Sequence, residues 1–429
     1  MFLIKTFEID VTPQNNKFGL LASATPIGIE TPIYLRGLLL SDAQNQYVIC
    51  SVEYCIISGC YYQDLMSAIS KGTDTPMNHV TLHTSHQHDV PFFDELYHGI
   101  MEKYGKPVFP KREWDEYVKE IQTNIEKEIS QPTKQVTHVS FQNAEVHEYA
   151  SDRRIYKDGK MNWRGTKCQN LELKALPVGE IDPNLYQCVF WGENSQPLVT
   201  LNFYASHPQV ADGRGLLSSD APGVALKKMK TFLPNTFHIY FDGCGGDIGN
   251  GKFAGPSKDA DLEVFGEKLF KGMQIAFQKA QPESLKSVRW LNHTFDLPFR
   301  KPVADANELR AQIATPDFST NFKRFYIARN LGLIEKNNAS YPFRISRLCL
   351  NQNQIFFLPG EMFLTYQKYC IEKSNGKTCV AAYGDDFIGY VPEDADFALG
   401  GYEIDGAFQN LMPGCEKLIK KEMNTIING

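Results

Sequence analysis

The sequence predicts an α/β fold, a mixed α/β arrangement in one large domain with β-sheets flanked by helices. Three observations carry this. Short runs rich in β-branched and aromatic residues recur along the chain and stop at Gly, Pro, Asp or Ser. Amphipathic helical stretches lie between them in irregular alternation. No internal repeat, low-complexity tract or Pro/Ser-rich linker divides the 429 residues, so texture favours one unit over the two or three that length alone allows.

Taken in chain order, "FEIDVTP", "IYLRGLLLSD", "QYVICSVEYCII" and "HVTLHTS" read as half-buried or buried strands. A helix follows, with Trp114, Val118, Ile121, Ile125 and Ile129 on one apolar stripe. Three further strands, "QCVFWG", "PLVTLNFYAS" and "FHIYFDG", precede a second helix. Its stripe is Leu262, Phe265, Leu269, Met273 and Phe277, and its cap is Ser257 or Asp259. Residues 302–345 form a helical excursion interrupted by Pro316, and "QIFFLPG" is a strand that breaks at Pro359-Gly360. Such stripes are core-facing surfaces and carry no chemistry.

Composition excludes several classes. With 42% hydrophobic and 22% charged residues the chain buries an ordinary globular core. A formal net charge of -6 gives no basic footprint for nucleic acid. No segment has the length of a membrane-spanning helix, and the first ten residues are too short an apolar run for a signal-peptide core. Ten scattered cysteines without a CxxC pair read as reduced core residues, so the expected location is cytoplasmic.

Five segments could hold chemistry. In "TLHTSHQHDVP", strand alternation points His86 and His88 into one site and His83 to the other face. An HxH step suits a metal, or one imidazole on a metal and one on substrate; exposed or hydrogen-bonded histidines are the bland reading. In "ASHPQVADGRGLLSSDAPG", His207 ends a strand where a loop can deliver a ligand, while Ser219 and Asp220 read as caps of a helix with Pro222 in its first turn. "FHIYFDGCGGDIGNG" lacks GxGxxG, and no helix opens from its glycines, so dinucleotide binding fails. The loop can still approach a substrate closely. Glu361 follows Pro359-Gly360, a first-turn position that a helix dipole also favours. Tyr390 and Tyr402 lie in the acidic stretch "GDDFIGYVPEDADFALGGYEIDG".

The order and context of "SHQHDVP", "DRR", "ASHPQV", "GCGGDIGN", "LPGE", "IGYVP" and "GGYE" resemble the catalytic domain of the neutral/alkaline (non-lysosomal) ceramidases. The likeness runs from about residue 5 to about 427. It implies a catalytic zinc held by two histidines, a glutamate and a tyrosine, here His86, His207, Glu361 and Tyr390. It further implies that His88 is the non-ligating active-site histidine, Tyr402 the second active-site tyrosine, and Arg153 the active-site arginine, or Arg154 if the register slips by one. On that basis His88 would shuttle a proton or bond the substrate, Tyr402 would donate to an oxyanion, and Arg153 would hold a polar substrate group.

The chain also departs from that pattern. Asp247-Ile248-Gly249 stands where ceramidases carry a serine, and Gln87, Asp89 and Val90 replace small residues beside the zinc. The family's separate C-terminal β-sandwich domain is expected to be absent. Arg153, Arg154, Arg164 and Arg214 lie in segments expected to approach the metal, and arginine suits carboxylates and phosphates. The expected substrate is therefore soluble and polar or anionic, a small molecule or oligosaccharide rather than ceramide. Arg154, Arg214, Gly249 and Asp247 are its expected contacts. The expected activity is zinc-dependent cleavage of an amide or ester. A zinc-dependent hydrolase or lyase of a uronate-containing oligosaccharide is the alternative, and a non-catalytic binding protein with a retained metal site the third reading.

Overall fold

Two β-sheets stacked face to face, each covered by helices on its outer side, organise the chain. The computed structural model describes residues 1–13, 20, 26–166, 168–300, 304–315, 322–337, 340–405 and 408–429. The larger sheet has nine strands in the order Val288–Pro298, Ser340–Leu350, Asn353–Pro359, Thr378–Gly384, Val80–Thr84, Gln46–Val52, Tyr34–Ser41, Phe2–Asp10 and Lys134–Val136. The smaller has five: Phe237–Asp242, Pro197–Tyr204, Asn184–Trp191, His138–Glu145 and Glu283–Ser284. The mixed α/β class expected from sequence is what is found.

Strand alternation produces the layers. On Tyr34–Ser41, Leu38 and Leu40 face the smaller sheet while Leu35 and Leu39 face the helices; on Asn353–Pro359, Ile355 and Phe357 divide from Phe356 and Leu358 in the same way. The core between the sheets joins these residues to Phe141, Phe190, Leu201, Phe203 and Phe241. Outside the larger sheet lie the helices Cys60–Thr73, Glu95–Lys103, Lys111–Ile129 and Cys415–Asn428; outside the smaller lie Asp220–Phe232 and Lys258–Gln278.

The two helical stripes behave as read. Trp114, Val118, Ile121 and Ile125 are buried on Lys111–Ile129, with Ile129 half-buried at its end. Each fully buried apolar side chain contributes roughly 1.5–3 kcal/mol, which outweighs propensity differences of tenths. On Lys258–Gln278 the cap is Ser257, which accepts from Ala260 N at 3.4 Å.

Two expectations need correction here. Ser219 does not cap Asp220–Phe232 with its side chain, which pairs instead with the Thr31 hydroxyl at 2.9 Å. Asp220 does accept from Ala221 N at 2.6 Å at the helix start, and it also turns back, accepting from Ala211 N at 2.8 Å and Val210 N at 3.3 Å, and so ties down the loop after His207. The helical excursion comprises Ala306–Ala314 and Phe322–Lys336 but does not reach 345, because Ser340–Leu350 is already a strand. Its alternating residues form an eleven-pair antiparallel ladder with Val288–Pro298. Pro316 lies outside the described residues.

Topology places the site. Asn353–Pro359 runs parallel to Thr378–Gly384, and Gln46–Val52 parallel to Val80–Thr84; the two pairs meet at their carboxyl ends, where Gly384 opposes His83. In the other sheet, Pro197–Tyr204 and Phe237–Asp242 are parallel and end side by side, Tyr204 opposite Asp242. Loops leaving these carboxyl ends carry His86, His207, Gly245 and Glu361. Ligands of open α/β sheets bind in this kind of crevice.

Candidate metal centre

His86 is not on a strand. Val80–Thr84 ends two residues earlier, and His86 has φ 52°, a left-handed conformation that is uncommon and costly for a side-chain-bearing residue. The alternation argument therefore fails for the HxH step, although its outcome for His83 stands. His83 is fully buried on the strand, with Nδ1 bonding Ala382 O at 2.8 Å and Nε2 at 3.0 Å from the Thr81 hydroxyl. The backbone of His86 is held by its N–H to Tyr54 O at 3.1 Å.

Three side chains converge. His207 Nε2 is 2.9 Å and His86 Nε2 3.4 Å from Glu361 Oε2, all three residues being buried. Each imidazole is oriented from behind by its Nδ1, on Cys55 O at 2.7 Å for His86 and on Gly245 O at 2.7 Å for His207. A backbone carbonyl accepts only, so each Nδ1 carries the proton and each Nε2 presents its lone pair to the centre. Burial and the neighbouring Arg153 charge hold the His207 pKa at about 3, so this ring is neutral at neutral pH. A neutral imidazole lone pair facing an ionised carboxylate at this distance is the donor set of a cation, and its nitrogen and oxygen types fit zinc.

Tyr390 joins them through the backbone. Glu361–Met362 and Tyr390–Val391 form a two-residue parallel bridge in which Glu361 and Tyr390 are partners. Glu361 N donates to Gly389 O at 2.9 Å. Arg153 Nη2 donates to Tyr390 Oη at 2.8 Å. The glycine-rich loop packs closely on Glu361: a Cβ on Gly246 would stand 2.4 Å from Glu361 O, so only glycine fits there.

At the mouth, His88 Nδ1 is 3.5 Å from Asp212 Oδ1, and its Nε2 is 3.3 Å from Gln209 Nε2. The His86 and His88 rings are 5.3 Å apart. Tyr402 is 6.1 Å from Tyr390, ring to ring, and 37% exposed. Burial of its hydroxyl, with Glu361 beside it, raises its pKa above the usual phenol range. That phenol stays protonated at neutral pH and can donate a hydrogen bond.

The arginines are arranged otherwise than expected. Arg153 is buried and turned inward, onto Glu403, Gly246 O and Tyr390. Arg154 bonds Glu403 at 2.8 Å and Asp396 at 3.1 Å. Arg164, fully buried, binds the carbonyls of Asp152, Leu173, Leu176, Pro177 and Val178. Arg214 pairs with Glu30 and, at 2.6 Å, with Asp259. All four meet internal partners: the acids beside Arg153, Arg154 and Arg214 lie far along the chain, and the backbone carbonyls that Arg164 binds leave no mark in the residue pattern. Asp247 and Gly249 are likewise built into the scaffold. Asp247 Oδ1 accepts from Leu364 N at 2.9 Å, and Gly249 pairs with Ser151.

Two neighbours carried no sequence signal. Tyr383, at φ 60°, stacks on His86 at 4.5 Å and 27° and sets its hydroxyl 3.4 Å from His207 Nδ1. It stands in "AAYGDD", which reads as an ordinary strand end. Glu403 follows Tyr402 in the quoted "GGYE" but had no assigned role. All ten cysteines are unpaired, eight of them buried. Among the described residues no helix is long and apolar enough to cross a membrane.

No protein-family model matches the chain. No curated protein matches its sequence. Among solved structures, neutral ceramidase from Pseudomonas aeruginosa aligns with a TM-score of 0.72 at 13% identity, covering 99% of this chain and 74% of that one. A ceramidase complexed with C2 gives a TM-score of 0.72 at 12% identity over the same shares of the two chains. The chain has a neutral-ceramidase-like fold.

Proposed function

We propose that the chain is a zinc-dependent hydrolase of an amide or ester bond, acting on a soluble polar molecule rather than ceramide, and that it forms one catalytic domain. The observation that carries this reading is the meeting of His86 Nε2, His207 Nε2 and Glu361 Oε2, with both imidazoles locked from behind. Tyr390, the backbone partner of Glu361, is the fourth donor. When bound, zinc held by nitrogen and oxygen donors brings the pKa of a water towards neutrality and polarises a carbonyl.

The other residues handle protons and substrate. His88, beside Asp212 and Gln209, accepts and returns a proton at the mouth. Tyr402 donates from its phenol to oxygen that gains charge as the carbonyl is attacked. The polar mouth formed by His88, Gln209 and Asp212 supports a polar substrate. The anionic version rested on arginines that the protein satisfies internally, and elimination from a uronate, with Tyr402 or His88 as base, needs one of them free to neutralise the carboxylate. Neither is carried forward.

The test is direct. Chain freed of metal with a chelator is assayed with and without zinc on a panel of N-acyl amides, esters and ceramide. Zinc-dependent release of a carboxylic acid from polar members is the expected result. Turnover of ceramide alone overturns the substrate class, and absence of both bound metal and hydrolysis overturns the activity.

A further inference from the structure

The carboxylate of Glu403 is buried on the short helix Tyr402–Asp405 and touches no part of the metal centre directly. Its two oxygens hold two arginines: Oε1 ion-pairs with Arg153 Nε at 2.8 Å, and Oε2 accepts from Arg154 Nη1 at 2.8 Å. Arg154 is anchored further by Asp396 at 3.1 Å and by Gly400 O at 3.1 Å, so Glu403 is itself fixed. On its far side Arg153 uses Nη2 twice, on Gly246 O at 2.8 Å and on Tyr390 Oη at 2.8 Å. A continuous path runs from Glu403 through Arg153 to the phenol oxygen of Tyr390.

Burying such a chain of charges is a poor way to gain stability, since apolar residues of the same volume do as well or better. Its geometry is what apolar residues could not supply. A guanidinium is planar, and the charge of Glu403 held against its Nε side, a close ion pair without aligned hydrogen-bond geometry, restrains the plane from which Nη2 makes its directed bonds. The hydrogen bond from Nη2 then occupies one side of the Tyr390 oxygen, on a ring that lies 6.4 Å from that of His207 and whose residue is the bridge partner of Glu361.

We infer that Glu403 is a positioning residue for Tyr390, acting through Arg153, and that it aims the phenol oxygen at the metal. This rests on the metal-centre reading above and assigns Arg153 to the protein's own tyrosine instead of to substrate.

The test compares wild type with Glu403→Gln, Glu403→Asp, Arg153→Lys and Tyr390→Phe. Zinc affinity is measured by chelator competition, the phenolate-to-copper absorption band after loading with Cu(II), and folding by circular dichroism. Wild type is expected to show the band and Tyr390→Phe to lack it. Glu403→Gln is expected to bind zinc roughly 10–100-fold more weakly, with the band shifted or lost, and Glu403→Asp to recover part of both. Arg153→Lys keeps the charge but cannot bridge both partners, so it is expected to match Glu403→Gln and serves if that variant does not fold. Wild-type affinity and an unchanged band in folded Glu403→Gln or Arg153→Lys overturn the inference, even if either melts earlier. Wild type that binds no metal overturns the metal-centre reading itself. Wild type that binds metal indistinguishably from Tyr390→Phe leaves that reading standing and overturns this one.

Discussion

Glu361 and Tyr390 are partners across a two-residue parallel bridge, so backbone pairing brings a carboxylate and a phenol to one place beside His86 and His207. Zinc is expected to bind at roughly one ion per purified chain. His86→Ala and His207→Ala should each abolish that stoichiometry by elemental analysis. They should also remove the rise in melting temperature that a ligand of the folded state gives wild type. A full zinc complement in either variant would place the metal elsewhere.

Tyr383 offers a separable test of how the two imidazoles are held. Tyr383→Phe keeps the stack on His86 and loses only the hydroxyl near His207, so it should fold and bind zinc almost as wild type does. Tyr383→Ala removes a buried ring and should lose ~3–5 kcal/mol in urea unfolding, with weaker zinc binding. Equal zinc affinity in folded Tyr383→Ala would remove Tyr383 from the site's support.

His86, His207 and Glu361 stood out as candidates because each follows a strand, after "HVTLHTS", "NFYAS" and "FFLPG"; it was the family resemblance, and not any of these stretches alone, that grouped them, and the fold does bring the three together. What could not be read was direction. Arg154 meets Glu403 across 249 positions and Arg153 meets Tyr390 across 237, so arginines that look available in sequence are paired by the fold. Tyr383 escaped notice because its contact with His86 exists only where two sheet segments meet at Gly384 and His83. The His86 conformation escaped because alternation assumes a strand that stops at Thr84.

Arg164 and Arg214 separate structural from peripheral arginines. Arg164→Ala leaves the buried Leu173 carbonyl without its donor, at ~1–3 kcal/mol, strips donors from part-buried carbonyls around it, and should lower the melting temperature clearly. Arg214→Ala loses ion pairs to partly or largely exposed acids, worth ~0–1 kcal/mol each, and should leave KM within a few-fold of wild type. A large KM increase in folded Arg214→Ala would restore it as a substrate contact.

Asp220 gives stability a pH dependence of known sign. Burial pushes its carboxyl from the ordinary 3.8 to about 7 in the folded chain, against backbone N–H bonds that pull it down. Between those values the folded form keeps a proton that the unfolded form releases, so the contribution is fully present below about pH 4 and is lost as pH rises through 7. The uncompensated loss is on the order of 4 kcal/mol. In urea unfolding at pH 4.5 and 7.5, Asp220→Asn should lose less stability than wild type over the same rise. An equal loss in both would show that Asp220 does not titrate in this window.

The last prediction concerns the route to the metal. Trp163, 41% exposed, packs on Tyr402 at 5.3 Å, and Tyr402 lies 6.1 Å from Tyr390, so an aromatic run leads from solvent to Tyr390. Trp163 lies over Gly165, where a Cβ would come within 2.2 Å of the indole. If the run receives substrate, Trp163→Ala should raise KM several-fold and change kcat little, because the ring is remote from the reacting bond. Gly165→Ala should displace the indole, shift tryptophan fluorescence and reproduce the KM effect with Trp163 still present. Normal KM in Trp163→Ala would mean that substrate enters past His88 and Asp212, and Gly165→Ala would then change the fluorescence alone.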